Sequence, residues 1–213
     1  ALDPSEVVSH ILVTHTHSDH SPLANALKER TGAKICGFAG INNDRTRNKS
    51  QIDTKVAIED ANFVEMEEAI QRDFIPDIPL LHQDIINGPD WTLEAIYTPG
   101  HISNHLCFLL HEEKTMFSGD HVMGWATSVI VPPDGNMADY MESLERLLSY
   151  DLELLRPTHG PEIQNPKTFI KAYITHRQNR EEQILGQLAK GTTQIQDMIP
   201  VLYADTDNRL YPA

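Results

Sequence analysis

Val7-Val8-Ser9-His10-Ile11-Leu12-Val13-Thr14 runs straight into His15-Thr16-His17-Ser18-Asp19-His20. The first stretch is apolar and β-branched, the pattern of a buried strand that needs neighbours on both sides. Downstream, Leu23, Ala26 and Leu27 recur at helical spacing, and Thr31-Gly32 supplies a stop, so a helix is expected over residues 22–29. Between strand and helix sit three imidazoles and one carboxylate within six residues. In an extended backbone the alternate rings of His15 and His17 aim at one point, while Asp19 and His20, one turn later, aim at a second. Imidazole suits zinc and iron, and a carboxylate suits harder ions. One short loop can therefore hold two metal ions side by side. The bland alternative is a polar helix cap with coincidental histidines.

Three segments further along weigh against coincidence. Thr98-Pro99-Gly100-His101, Ser118-Gly119-Asp120-His121 and Pro157-Thr158-His159-Gly160 each follow an apolar strand and set a ligand-type side chain beside glycine or proline. Strand ends in one sheet layer lie close in space, so His101, Asp120 and His159 can converge on the first loop. Strands are expected at 34–38, 80–81, 91–97, 105–110, 114–117, 128–131 and 154–158. Residues 40–60 read as a surface loop and 61–72 as a weak helix. Met137, Tyr140, Met141, Leu144, Leu147 and Leu148 share one face of a helix. A long helix from Pro166 to about Lys190, capped by Gly191, and a short one over 194–203 close the chain. Strands mixed with outer helices, followed by a helical tail, predict a layered α/β (α+β) body over residues 1–165 and a helical module over 166–213.

The four segments resemble the metal-binding motifs of the metallo-β-lactamase fold superfamily, in the same order. That resemblance implies an αββα sandwich. It implies that His15, His17 and His101 bind a first metal, that Asp19, His20 and His159 bind a second, and that Asp120 bridges them. The stretches Gly88-Pro89-Asp90-Trp91, Gly100-His101-Ile102-Ser103-Asn104-His105 and Gly119-Asp120-His121-Val122-Met123-Gly124-Trp125 further resemble the β-lactamase-like protein 2 group, whose tail is winged-helix-like. By that likeness His105 is a substrate contact. The fold of this family normally begins with several strands before the histidine motif, whereas this sequence starts almost at it. The expectation is a sheet lacking part of its strands, its edge covered by a homodimer or by rearrangement, and a tail that is only a partial wing.

Two zinc ions (iron or manganese as substitutes) about 3.5–4 Å apart share a water whose pKa falls to about 7. The expected activity is hydrolysis by a metal-bridging hydroxide, with Asp19 and Asp120 as the catalytic carboxylates. The substrate is a small thioester, ester or phosphodiester, with single-stranded RNA as one candidate. Thr14, Ser18, Ser118 and Thr158 are candidate partners for the ligands. The alternatives are a mononuclear-iron persulfide dioxygenase and a truncated metal-binding domain without activity. A flavodiiron oxidoreductase is disfavoured because His17 stands where such a protein has glutamate. An exported antibiotic hydrolase is disfavoured because Asp120 stands where it has cysteine.

Composition narrows the field further. Net charge is −14 over 213 residues, which argues against strong, sequence-specific nucleic-acid binding. Two cysteines, Cys36 and Cys107, are too few for a disulfide scaffold, so they read as small buried hydrophobes in a cytoplasmic protein. No apolar run is long enough to span a membrane. Eleven histidines are an excess, and those outside the motifs read as surface or packing residues. Trp91 reads as packing, Trp125 as packing or pocket mouth, and Arg177 with Arg180 as a solvated helix face countered by Glu181 and Glu182.

Overall fold

The computed structural model describes residues 6–39, 70, 71 and 73–204. They fall into two compact units, Ala1–Lys167 and Thr168–Ala213.

The first unit is built on two sheets. Strands β1 (His10–Leu12), β2 (Lys34–Phe38) and β3 (Ile78–Leu80) are parallel, in the order β1-β2-β3. The second sheet runs in sequence order through β4 (Ile85–Asn87), β5 (Thr92–Tyr97), β6 (Leu106–Leu110), β7 (Thr115–Gly119), β8 (Leu154–Pro157) and β9 (Ile163–Gln164). All its neighbours are antiparallel except β7 and β8. Cys36 and Leu80 of the first sheet pack against Ile86, Ala95, Leu106 and Phe108 of the second. Each large apolar side chain buried there contributes about 1.5–3 kcal/mol.

Helices cover the outer faces. α1 (Ala24–Thr31) packs Ala24 with Val13 and Ile35, and ends at Gly32 in the left-handed region. α2 (Met137–Leu147) is capped by Asn136, whose side chain accepts from the amides of Ala138 and Asp139. Its buried residues Tyr140, Leu144 and Leu147 follow helical spacing. Ser143 Oγ donates to Pro99 O at 2.8 Å and Arg146 to Tyr97 O at 2.5 Å, so α2 holds the end of β5.

Direction is what positions the ligands. With β5 and β7 both antiparallel to β6, and β8 parallel to β7, the C-terminal ends of β5, β7 and β8 share one edge of the sheet. His101, Asp120 and His159 follow those three ends. β6 runs the other way and starts at the same edge, which delivers His105 there. Leu106 N donates to Thr14 O at 2.7 Å and joins this edge to the loop after β1.

Several expectations need correction. Residues 128–131 form no strand. Val129 O accepts from His101 and Val131 O from Gly135 N, and Pro132 and Pro133 carry no amide hydrogen to continue a ladder. β1 is shorter than expected and half-buried, with β2 its single neighbour among the described residues. Strands β4 and β9, of three and two residues, are too short to leave a periodic signal. The expected loop 40–60 and helix 61–72 lie outside the described residues, apart from 70 and 71. Cys36 and Cys107 are free and buried, as expected, and burial pushes their thiols up to about 11 and about 12.

The second unit carries most of α3 (Pro166–Ala189) and all of α4 (Ile195–Leu202). Arg180 is not a solvated face residue. It donates to Leu202 O at 2.6 Å and lies 4.3 Å over the Tyr203 ring, clasping α4 to α3. Among the described residues, no helix is long and apolar enough to cross a membrane.

Gly100 has φ +134°, and a Cβ there would lie 2.3 Å from Tyr140 Cα. Gly100→Ala is expected to lower unfolding stability by about 3 kcal/mol, read from urea denaturation. Gly186, within α3 with nothing inside 4 Å of a built Cβ, is the contrast. Gly186→Ala should stabilise by about 0.5–1 kcal/mol.

Candidate metal centre

The loop after β1 is tied down on several sides. His20 N and Ser21 N both donate to His17 O, at 3.0 and 3.2 Å, so the chain turns inward at His17. Asn104 grips Thr16 twice, accepting from its amide at 3.3 Å and donating to its hydroxyl at 2.7 Å. Gln71 N donates to Thr16 O at 2.8 Å, and Ile70 bridges His17. Asn104 carried no sequence signal of this role beyond being a polar residue in a turn, and Gln71 fell in the expected helix over 61–72.

Three ring nitrogens meet on this frame. His17 Nδ1 lies 3.0 Å from His15 Nε2 and 3.0 Å from His101 Nε2. His101 donates from Nδ1 to Val129 O at 2.6 Å, which leaves a bare lone pair on its Nε2. His15 Nδ1 sits 3.0 Å from the Thr14 hydroxyl. A second group follows: Asp19 Oδ2 is 3.3 Å from His20 Nε2 and 3.2 Å from His159 Nε2. Asp120 reaches both groups, with Oδ2 3.4, 3.7 and 3.9 Å from the Nε2 atoms of His20, His101 and His15, and Oδ1 3.7 Å from that of His159. Within each of the triads His15–His17–His101, His15–His20–Asp120 and Asp19–His20–His159, one ligand atom per residue lies within 4.8 Å of the others. The seven residues singled out as ligands thus stand together.

The donor set suits a cation. Tetrahedral zinc with bonds of about 2.0–2.1 Å spaces its ligand atoms about 3.4 Å apart, and the separations given above run from 3.0 to 3.9 Å around that value. His20 Nε2 is buried and makes no hydrogen bond of acceptable geometry, although two carboxylates stand beside it. Burial, then the neighbouring rings, holds His15 well below the usual imidazole range and brings His17 down to about 4. Both are therefore neutral at pH 7, the form that binds metal. Burial by itself would raise the Asp120 carboxyl, but contact with His20 and the Thr158 hydroxyl outweighs it and keeps Asp120 ionised. With nitrogen and oxygen donors and no sulfur, the set fits zinc, iron or manganese.

Of the expected supporting hydroxyls, Thr14 meets His15 and Thr158 donates to Asp120. Ser118 instead donates to Val122 O at 2.7 Å, and Ser18 is exposed. His105, expected as a substrate contact, is wholly buried, and both of its ring nitrogens are engaged inside the fold. Asp120 N donates to its Nε2 at 3.1 Å, so the ring proton sits on Nδ1 and is given to Thr98 Oγ1 at 2.8 Å. Thr98 then has its hydroxyl proton for Cys107 Sγ at 3.3 Å, and the thiol donates to Ser118 O at 3.4 Å. Gly119 permits the approach: its φ is +52°, and a Cβ there would lie 2.5 Å from His105 Nε2. His105 positions the backbone of Asp120.

A profile of the metallo-beta-lactamase superfamily matches residues 4–159. The chain belongs to that superfamily. A Drosophila melanogaster relative, "Beta-lactamase-like protein 2 homolog", is 30% identical over 95% of this chain, and the chain spans 63% of that relative's length. A beta-lactamase domain protein from Burkholderia ambifaria shares the fold at TM-score 0.70 and 18% identity, covering 98% of this chain and 65% of that one. A metallo-beta-lactamase family protein from Thermus thermophilus does so at TM-score 0.67 and 19% identity, covering 92% and 68%. The metallo-beta-lactamase fold thus accounts for the two sheets and their outer helices, and the clustered histidines and aspartates stand at the sheet edge described above.

His105→Leu removes the acceptor for Asp120 N, whereas in His105→Gln the amide oxygen replaces Nε2. Zinc affinity, read by competition with a chromophoric chelator, should drop about 10–100-fold in the leucine variant and recover with glutamine. Equal affinities in all three proteins would exclude the positioning role. A second expectation concerns pH. In the unfolded chain these histidines titrate near about 6.5, whereas folded His17 titrates near about 4. The unfolded state therefore binds protons that the folded state refuses, and stability falls as pH drops through that window. Asp120, shifted down, keeps its contribution above the ordinary aspartate value of about 3.9 and loses it as pH falls from there. Chelator-treated protein should show a Tm that declines between pH 6.5 and 4 (roughly, from those two values), and a Tm that is flat there contradicts the burial of neutral rings.

Proposed function

We propose that this chain is a metal-dependent hydrolase working with two cations, zinc by preference, on a small ester, thioester or phosphodiester. One observation carries the reading: a single carboxylate, Asp120, stands within 3.9 Å of ring nitrogens from both groups of ligands. His15, His17 and His101 would hold one ion, Asp19, His20 and His159 the other, and Asp120 both. Metal bound there supplies Lewis acidity, lowering the pKa of a water to about 7 and polarising a carbonyl or phosphoryl oxygen. The chain's own residues do the rest. Asp19 is the carboxylate of the centre that solvent reaches, with 42% of its side chain exposed against 10% for Asp120. It is placed to accept a proton from water and pass it to the leaving group. Asp120 is buried, ionised and held by the Thr158 hydroxyl and the His105 ring, so it fixes the spacing of the two groups. A one-iron oxygenase would leave Asp19, His20 and His159 without a task, which favours the paired reading.

The net charge of −14 favours small substrates over single-stranded RNA. Zinc-loaded protein is expected to hydrolyse a generic thioester and bis-(p-nitrophenyl) phosphate, and a chelator should abolish both activities. His159→Ala should lower kcat at least about a hundredfold. Turnover that survives the chelator, or is indifferent to His159, would remove the hydrolase reading.

A further inference from the structure

The segment after Asp120 crosses the mouth of the centre before the chain enters α2. It is pinned three times. Gly124 N donates to His159 O at 2.9 Å, His101 Nδ1 donates to Val129 O at 2.6 Å, and Ser103 N donates to Asp134 Oδ2 at 3.2 Å. It therefore touches His159 of one ligand group and His101 of the other. On this pinned strap three apolar side chains are left bare: Trp125 at 73%, Val129 at 51% and Val131 at 40% exposure.

Trp125 is the informative one. Its indole lies parallel to the His159 imidazole, 6° between planes and 6.3 Å between centroids, within the range of offset aromatic pairs. The placement is built into the backbone. Gly124 and Gly160 meet main chain to main chain: a Cβ on Gly160 would lie 2.9 Å from Gly124 Cα, and one on Gly124 2.3 Å from Pro161 O. Two glycines thus let the strap close on the histidine loop and set the indole beside a metal-binding ring. Among the described residues the His159 ring is the aromatic partner of this indole, and 73% of Trp125 is left exposed. A flat group on the substrate would cover it.

The charges around it select the kind of group. Asp19 and Asp120 stand beside His159, Asp134 sits on the strap and accepts from Ser103 N, and Arg156 is engaged by Glu162 at 3.4 Å. A polyanionic strand finds little to hold it here. We propose that Trp125, stacked beside His159, is a stacking subsite for an aromatic group carried next to the scissile bond, so that the preferred substrates are small uncharged aryl-bearing esters or thioesters. The substrate class rests on the hydrolase reading, whereas the stacking subsite has a test of its own. In the thioester case water oxygen bonds to the acyl carbon, the carbon–sulfur bond breaks and the thiolate takes up a proton, leaving one carboxylic acid and one thiol.

The kinetic test uses zinc-loaded full chain with S-methyl thiophenylacetate, S-benzyl thioacetate and S-methyl thioacetate, which differ in the presence and side of one phenyl ring. At least one aryl substrate should exceed the methyl one in kcat/KM by about tenfold, the size of one good stacking contact. Trp125→Ala should collapse that ratio, chiefly through KM, at matched zinc content, and Trp125→Phe should retain most of it. A ratio that survives Trp125→Ala overturns the subsite. The binding test follows indole fluorescence of the zinc-loaded protein. Phenylacetamide should quench it saturably in the wild type and not in Trp125→Phe, and acetamide should not quench it in either. Absence of a saturable quench overturns the subsite even if the thioesters turn over. A quench without turnover upholds the subsite and defeats the hydrolase reading instead.

Discussion

His17 Nδ1 lies 3.0 Å from both His15 Nε2 and His101 Nε2, and the Nδ1 proton of His101 is already committed to Val129 O. Neutral imidazoles carry one proton each, so His17 Nδ1 can satisfy at most one of these two neighbours, and a lone pair is left bare beside a buried carboxylate. Removing such groups from water without partners costs several kcal/mol each, about 2–7 by small-molecule measures. A cation at the meeting point converts that cost into coordination. The same holds for His20, whose buried Nε2 stands unbonded between Asp19 and Asp120. The surrounding fold is best understood as what keeps these repelling donors together.

Strand direction does the first part of that work. Three strands of the second sheet end at one edge, and a fourth begins there, so three connections supply His101 with His105, Asp120 and His159. The first sheet adds the loop from His15 to His20, joined across by the Leu106–Thr14 and Asn104–Thr16 hydrogen bonds. Glycines let the turns close. Gly100 admits the backbone of Tyr140, Gly119 admits the His105 ring, and Gly124 with Gly160 brings the strap onto the histidine loop. Behind Asp120, hydrogen bonds run in one direction from His105 through Thr98 and Cys107 to Ser118 O. A wholly buried residue can thereby govern where the central carboxylate stands.

The ligands were legible because each is a chemically distinctive side chain beside a turn-forming residue at the end of an apolar run. His15-Thr16-His17-Ser18-Asp19-His20 needs no tertiary information to be noticed. The partners that orient those ligands were harder to find for physical reasons. Val129 contributes a carbonyl, which every residue has, from a stretch that its β-branched side chains make look like a strand. Asn104 and Gln71 act through contacts 88 and, for Ser21 with Gln71, 50 positions apart in sequence. His105 drew attention as a reactive side chain, yet its role is decided by complete burial, which local sequence does not encode. Arg180 looked solvated because Glu181 and Glu182 adjoin it, and its actual partners lie 22 and 23 positions on, at Leu202 and Tyr203. Helix α2 and strand β2 were readable almost to the residue, and α1 to within two residues at each end, since amphipathic spacing is local.

The decisive observation is where metal binds. Crystals soaked in zinc and measured on both sides of its absorption edge should show two anomalous peaks. One should lie in bonding contact with His15, His17 and His101, the other with Asp19, His20 and His159, and Asp120 should touch both. A single peak, or zinc bound away from these side chains, would contradict the paired centre.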